Sequence, residues 1–312
     1  MRFKRLDLNL VVVLDALLAE RSVTNAGHRL HASQTTISDA LSRLRQYFND
    51  DLLVQVGRKM VPTPLGESLV MPARSMLLQA EAMLNTKPSF DPAAAVRTFT
   101  FMMSDYVNTV LMTKVIPMLS KVAPNVTIEI LDHSPVPWES LARGDVDFLV
   151  MPMNYLPADQ PKQLLFEDDF CCIVWKDNDI LGDTINHEQF MSMGHVVTRF
   201  GHNRTAAIDE WFFKRFGNTR RMEVITSGFN NVPQAVIGTN RVATIQRTLA
   251  RHYEAMLPIR ILEHNFELPT VSEGVQWNRF ADTDPAASWI RQLLVDASLG
   301  INPAGLETRP FA

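Results

Sequence analysis

A chain of 312 residues with 46% hydrophobic and 21% charged side chains is globular and long enough for two or three units, which excludes a disordered chain. The formal net charge of −4, from 30 basic and 34 acidic residues, excludes a protein that is basic throughout. Two adjacent cysteines, Cys171 and Cys172, exclude a disulfide framework and a CxxC zinc site, and sit in an apolar run that reads as buried strand. The longest apolar stretch, 8–19, is broken by Asn9 and Asp15 and falls short of the ~20 residues a membrane span needs. No charged start followed by an apolar core and a cleavage site is seen, so a cytoplasmic location without membrane contact is expected.

In chain order, Leu10, Leu14 and Leu17 recur at helical spacing, and Ala26 and Leu30 continue the pattern. Ile37, Leu41, Leu44 and Phe48 then give one apolar face to a third helix, so three short helices share a small core. Ser22 and Ser33 stand where a side-chain oxygen can cap the next helix. With the apolar face turned inward, Gln34, Thr35, Ser38, Asp39, Ser42 and Arg43 face outward, and Ser33 opens the helix. Small side chains let a backbone approach a major groove, and Gln and Arg can pair with base edges, so this helix is predicted to read duplex DNA. The runs 52–56 and 60–61 flank Gly57-Arg58-Lys59 and predict a hairpin wing that presents Arg58 and Lys59 to the phosphate backbone. Residues 1–65 carry nine basic against six acidic side chains, a net +3, which leaves −7 for the remainder. Only the amino-terminal end has the charge to approach nucleic acid.

Thr63 caps the next helix and Pro64 occupies its first turn, giving a helix from Pro64 to about Asn85. Leu69, Ala73, Met76, Ala80 and Met83 fall at steps of four and three, a heptad seam that predicts dimerisation. Pro72 inside the helix predicts a bend near Ser68. The stretch 85–92, bracketed by Pro88 and Pro92, reads as a hinge. The expected domains are therefore 1–63 for DNA binding, 64–87 as a linker helix, and 88–312 for a third function.

Beyond the hinge, strands and helices alternate: strands at 96–103 and 126–131, a helix at 108–121, and a helix end at 144 feeding a strand up to Pro152. Such alternation implies a mostly parallel sheet. Strands near 170–175, 195–200, 222–226 and 242–245 predict a second sheet, with a return at 271–277 and a closing helix at 285–297.

Residues 6–66 resemble the winged helix-turn-helix of the LysR-type transcriptional regulators, on Ser33-Gln34, Leu41-Ser-Arg-Leu44 and Thr63-Pro64-Leu-Gly-Glu67. The opening run 1–10, with Phe190-Met-Ser-Met-Gly-His-Val196 and Val275-Gln-Trp277, is similar to the subgroup of the nodulation regulators and the naphthalene, salicylate and chlorophenol degradation regulators. The sequence departs from that pattern at Thr35 and at Gln246-Arg247-Thr248. The resemblance implies an α/β protein with a winged helix-turn-helix, a long linker helix and a two-lobed, periplasmic-binding-protein-like effector domain. Lobe I would span about 93–166 and 268–312, and lobe II about 167–267. It further implies a homotetrameric activator, a dimer of dimers that works with RNA polymerase and needs no cofactor or metal. A phenol, chlorinated phenol, hydroquinone or salicylate-like acid would be the inducer of aromatic-degradation genes. A flavonoid-responsive nodulation regulator is the alternative, and a regulator switched by protein contact or redox a third.

Open α/β sheets bind ligands at the carboxyl ends of their strands. That rule selects Ser104, Asp105, Met151, Pro152, Phe200, His202, Asn203, Arg204 and Phe229, with Trp277 on the returning strand. His202, Asn203 and Arg204 could hold a phenolate or carboxylate, or form a solvated helix start. His195, in an alternating strand, reads as a structural histidine. An enzyme is not expected: the chain has no phosphate-cradling glycine loop, no paired metal histidines and no nucleophile elbow.

Overall fold

Helical spacing of apolar residues and two serine caps build the first unit. A short antiparallel pair, β1 (Arg2–Phe3) and β2 (Leu6–Asp7), precedes helices α1 (Asn9–Glu20), α2 (Val23–Arg29) and α3 (Gln34–Phe48). The antiparallel hairpin β3 (Leu53–Val56) and β4 (Lys59–Pro62) and the helix α4 (Pro64–Leu84) follow. This computed structural model describes residues 2–3, 6–57, 59–84, 90–201, 205–215 and 220–301. The chain divides near residue 86 into two compact units.

Leu10, Leu14, Leu17, Ile37, Leu41 and Leu44 are buried together in one core with Leu52 and Leu53. Ser22 accepts from the Asn25 amide at 3.2 Å and Ser33 from the Thr36 amide at 3.1 Å, so each serine satisfies a first-turn donor. At Gly27, inside α2, a Cβ would meet the Ala32 carbonyl oxygen at 2.9 Å, so glycine there leaves room for the turn that leads to α3 to pass close by. The Asp50 carboxylate ties the hairpin to α4. It accepts from the Leu52 amide and the Thr63 hydroxyl, each at 2.6 Å, and these bonds hold it below its ordinary pKa. Thr63 Oγ1 in turn accepts from the Gly66 amide at 3.0 Å.

The seam expected along α4 divides in two. Leu69 and Ala73 pack into the core of their own unit, against which α4 lies by way of α1. Met76 and Met83 are 41% and 69% exposed, and Ala80 is exposed beside them. The upper half of the stripe is thus consumed in covering α1, and only the lower half presents apolar side chains to solvent. The helix runs through Pro72 as one element, with the Ser68 hydroxyl donating to the Leu65 carbonyl at 2.7 Å. The hinge expected at 85–92 lies mostly outside the described residues.

The second unit opens with β5 (Arg97–Met103), α5 (Asp105–Val107), a π-helical turn at Asn108–Met112, α6 (Thr113–Val122), β6 (Val126–Leu131), α7 (Pro137–Arg143) and β7 (Phe148–Pro152). β6 and β7 both run parallel to β5. The 14-residue strand β8 (Lys162–Trp175) then leads to β9 (Thr184–Ile185), α8 (His187–Ser192), β10 (Gly194–Phe200), β11 (Thr205–Ala206), α9 (Ile208–Arg215) and β12 (Arg221–Thr226). After α10 (Val232–Val236), β13 (Val242–Gln246), α11 (Arg247–Glu254) and β14 (Ile259–His264), the chain returns along β15 (Thr270–Trp277) and closes with α12 (Pro285–Ser298).

Within each lobe the sheet has the expected parallel character, with β12 and β13 parallel to β10. The strands that join the lobes do not. β8 and β15 pair antiparallel from Lys162↔Gln276 to Asp169↔Thr270, and β8 then continues into lobe II against β13 and β14. The sequence places a strand only from 170 because Glu167-Asp168-Asp169 interrupts the apolar run. Each acid nevertheless finds a partner: across the ladder Glu167 accepts from Ser272 at 2.8 Å and Asp169 from Thr270 at 2.8 Å, while Asp168 accepts from the buried Tyr106 hydroxyl of α5 at 2.8 Å. β14, also absent from the sequence reading, covers the far edge of β8.

Leu44 is fully buried in the first core, so Leu44→Ala should lower the stability of that unit by about 2–5 kcal/mol. The exposed neighbour Ser42→Ala should leave it within about 0.5 kcal/mol. Chemical denaturation followed by circular dichroism measures both.

Candidate functional site

The outward face of α3 has the composition expected of a reading helix. Ile37, Ala40, Leu41 and Leu44 are buried, while Gln34, Thr35, Ser38, Asp39, Ser42 and Arg43 are exposed. Ser33 and Thr35 share a 2.7 Å hydroxyl contact at the capped start, so both hydroxyls belong to the cap and Gln34 stands beside it. Arg43 reaches back to Asp7 on β2 at 3.2 Å, although its side chain is half exposed. The Asn9 amide and this guanidinium together hold the Asp7 carboxyl below its ordinary pKa. A base edge would therefore have to compete with Asp7 for Arg43. Lys59 is exposed at the start of β4, after a turn in which Gly57 has φ of 63°, a left-handed conformation that favours glycine. Arg58 lies outside the described residues.

The second unit contains a cavity of about 370 Å³. Ser104, Met151, Pro152, Phe200 and Phe229, all selected by the strand-end rule, line it. His202, Asn203 and Arg204 lie outside the described residues. Asp105 and Trp277 are not in the wall. The Asp105 carboxylate instead accepts from the Phe229 and Asn230 amides at 3.1 and 2.8 Å, fastening the segment after β12 to the end of β5. Trp277 stands four residues along the strand from Glu273, about 13 Å at the rise of an extended chain. There its indole donates to Asp282 at 2.9 Å, and Arg291 stacks over its ring at 4.2 Å.

Other wall residues escaped the sequence reading: His133 and Ser134 after β6, Trp138, Tyr155, Phe170, Gln246 at the end of β13, and Val271 and Glu273 on β15. The strand-end rule, applied to β6 and β13, would have found His133 and Gln246. Glu273 carried a different signal, a lone acid in a run that is otherwise buried strand. Val271 and Glu273 are two apart and so share one face, while Ser272 between them turns to Glu167.

The cavity's electrostatics follow from burial. Desolvation, then the Asp168 charge, pushes the Glu273 carboxyl up to about 8, so it is protonated near neutral pH. Desolvation also raises Asp168, to about 6, against the hydrogen bonds from Tyr106 and Thr248 that favour its charge. Burial lowers the His133 imidazole and keeps it neutral. Among the described wall residues there is no lysine or arginine. Elsewhere, His195 is fully buried, in hydrogen-bond contact with the Phe190 carbonyl at 2.8 Å and depressed to about 4, as a structural histidine would be. Cys171 and Cys172 are both buried, with their thiols raised by desolvation, Cys171 to about 12.

Comparison with known proteins agrees with both halves. Residues 8–67 match the profile of the bacterial regulatory helix-turn-helix protein, lysR family, and residues 93–298 that of the LysR substrate binding domain. Nodulation protein D 1 of Bradyrhizobium elkanii is 39% identical over 304 residues, 97% of each chain. Nodulation protein D 1 of Mesorhizobium japonicum is 40% identical over 311 residues, 99% of each chain. Among solved structures, a probable transcriptional regulator from Pseudomonas aeruginosa superposes with a TM-score of 0.63 at 26% identity, over 93% of this chain and 97% of that one.

Lys59→Ala should make the salt dependence of operator binding shallower by about 0.9 in log–log slope, the amount expected when one phosphate is no longer neutralised, with little change in sequence preference. Arg43→Ala should instead relax sequence preference. Fluorescence anisotropy on operator and scrambled duplexes across a salt series separates the two effects.

Proposed function

The chain belongs to the LysR family of bacterial helix-turn-helix transcriptional regulators, and we propose that it binds an operator duplex through α3 and answers to a flat aromatic of flavonoid size in the cavity of its second unit. The cavity carries the ligand half of this reading. An apolar space of about 150 Å³ is enough for benzene, whereas this one holds about 370 Å³ beside Phe170, Phe200, Phe229 and Trp138. That volume favours a compound of more than one ring over the phenol, chlorophenol or salicylate preferred from sequence. The names of the relatives point the same way, so control of nodulation-type genes replaces aromatic degradation as the reading supported best.

The effector acts by binding two arrangements of the chain unequally, since equal affinity would shift nothing. Activation with RNA polymerase belongs to the same proposal. So does a dimer of dimers, paired through the exposed lower face of α4 at Met76, Ala80 and Met83. A redox switch has no comparable support, because thiols that are buried and held protonated react slowly. Among the described residues, no helix is long and apolar enough to cross a membrane.

The purified chain should bind the duplex upstream of its own coding sequence at low ionic strength. A hydroxylated flavone should change the footprint or affinity there more than salicylate or chlorophenol does. Absence of binding, with and without the flavone, would sink the proposal; a response to salicylate alone would return the aromatic-degradation reading.

A further inference from the structure

Glu273 is 2% exposed, lines the cavity, and leaves Oε2 without a hydrogen-bond partner. It is not alone. Of the nine buried side-chain atoms without partners among the described residues, four belong to the wall of this cavity: His133 Nε2, Ser134 Oγ, Gln246 Oε1 and Glu273 Oε2. Buried polar atoms are almost always satisfied, so such a concentration around an open space points to partners supplied by whatever fills it. The four come from three sides: the segment after β6, the end of β13, and β15.

The sheet is irregular beside Glu273. It sits on a central strand, opposite Phe166 on β8 and Pro152 on β7. The ladder to β8 shifts register immediately after it, leaving Leu165 as the extra residue. Bulges of this kind re-aim side chains and recur beside functional sites. At the next position, Gly274, a Cβ would collide with Met153, so the strand is closely packed immediately after Glu273.

Charge then restricts the occupant. Asp168 acts on Glu273 and disfavours a second negative charge there, and the described wall offers no cation to offset one. A protonated carboxyl has one O–H donor and acceptor capacity to spare, which complements a hydroxyl or ketone on an uncharged ring. Resting on the reading of this cavity as the effector site, we propose that Glu273, together with Gln246 in the same wall, is the specificity-determining anchor. It selects uncharged hydroxylated aromatics and turns away aromatic carboxylates.

Isothermal titration of the full chain in mildly acidic buffer, where the phenols are un-ionised, tests this with three probes: 7,4′-dihydroxyflavone, unsubstituted flavone and flavone-4′-carboxylate. The dihydroxyflavone should bind at least about tenfold more tightly than either of the others, as expected when a buried polar group is left unpaired by the wrong ligand. Glu273→Leu should abolish that advantage, and Gln246→Leu should reduce it. Glu273→Gln, neutral and of the same shape, should keep most of it. If flavone binds but the ratio of the two neutral probes is the same in Glu273→Leu, or if the carboxylate binds as tightly as the phenol, the anchor assignment is overturned and the effector reading stands. If no probe binds the unaltered chain, both fall together.

Discussion

The antiparallel pairing of β8 and β15 is the constraint on which the second unit depends. These two strands carry the chain between lobes, so the residues at their crossing are held by backbone bonds shared with both. The crossing is also where acids are buried: Asp168 under the Tyr106 hydroxyl and the Thr248 amide, and Glu273 at the cavity wall. An ordinary core would replace such groups with apolar ones, because burying a charge costs more than a single bond returns. Here Asp168 is compensated by bonds and Glu273 by a proton, and the second solution leaves one carboxyl oxygen unpaired at the cavity.

Around that crossing the lobes are fastened by shorter links. Asp105, at the end of the first strand of one lobe, accepts two backbone amides from the segment after β12 in the other, and Thr109 is within hydrogen-bond distance of Asn230 beside it. A group that satisfies two amides across a cleft acts as a latch rather than as a ligand contact. Any rearrangement that separates the lobes at this point must release those amides to water or to new partners.

The first unit follows a simpler rule. Its three helices are specified by apolar spacing and by two serines, each placed where the first turn needs an acceptor. The hairpin is joined to α4 through Asp50 and Thr63. The exposed face of α3 is therefore presented on a scaffold that leaves its side chains little part in folding, apart from the cap at Ser33 and the Arg43 pair with Asp7.

Local periodicity determined the helices of the reading head, their caps, the hairpin, the long helix from Pro64, and most strands of the second unit, because each depends on residues within a few positions of one another. The start of β8 stayed hidden, since Glu167, Asp168 and Asp169 look like a loop until Ser272, Tyr106 and Thr270, about a hundred residues away or more in two of the three cases, arrive to satisfy them. Leu69 and Ala73 are likewise separated by roughly 50 to 65 residues from the α1 side chains that bury them, and Asp105 by 124 and 125 residues from the amides it caps. Tertiary structure alone decided which strand-end residues share a wall, for the cavity collects His133, Gln246 and Glu273 from segments that no periodicity connects. A pattern in the chain records what each residue prefers beside its neighbours; which buried polar atom goes unpaired is a property of the space that distant segments enclose.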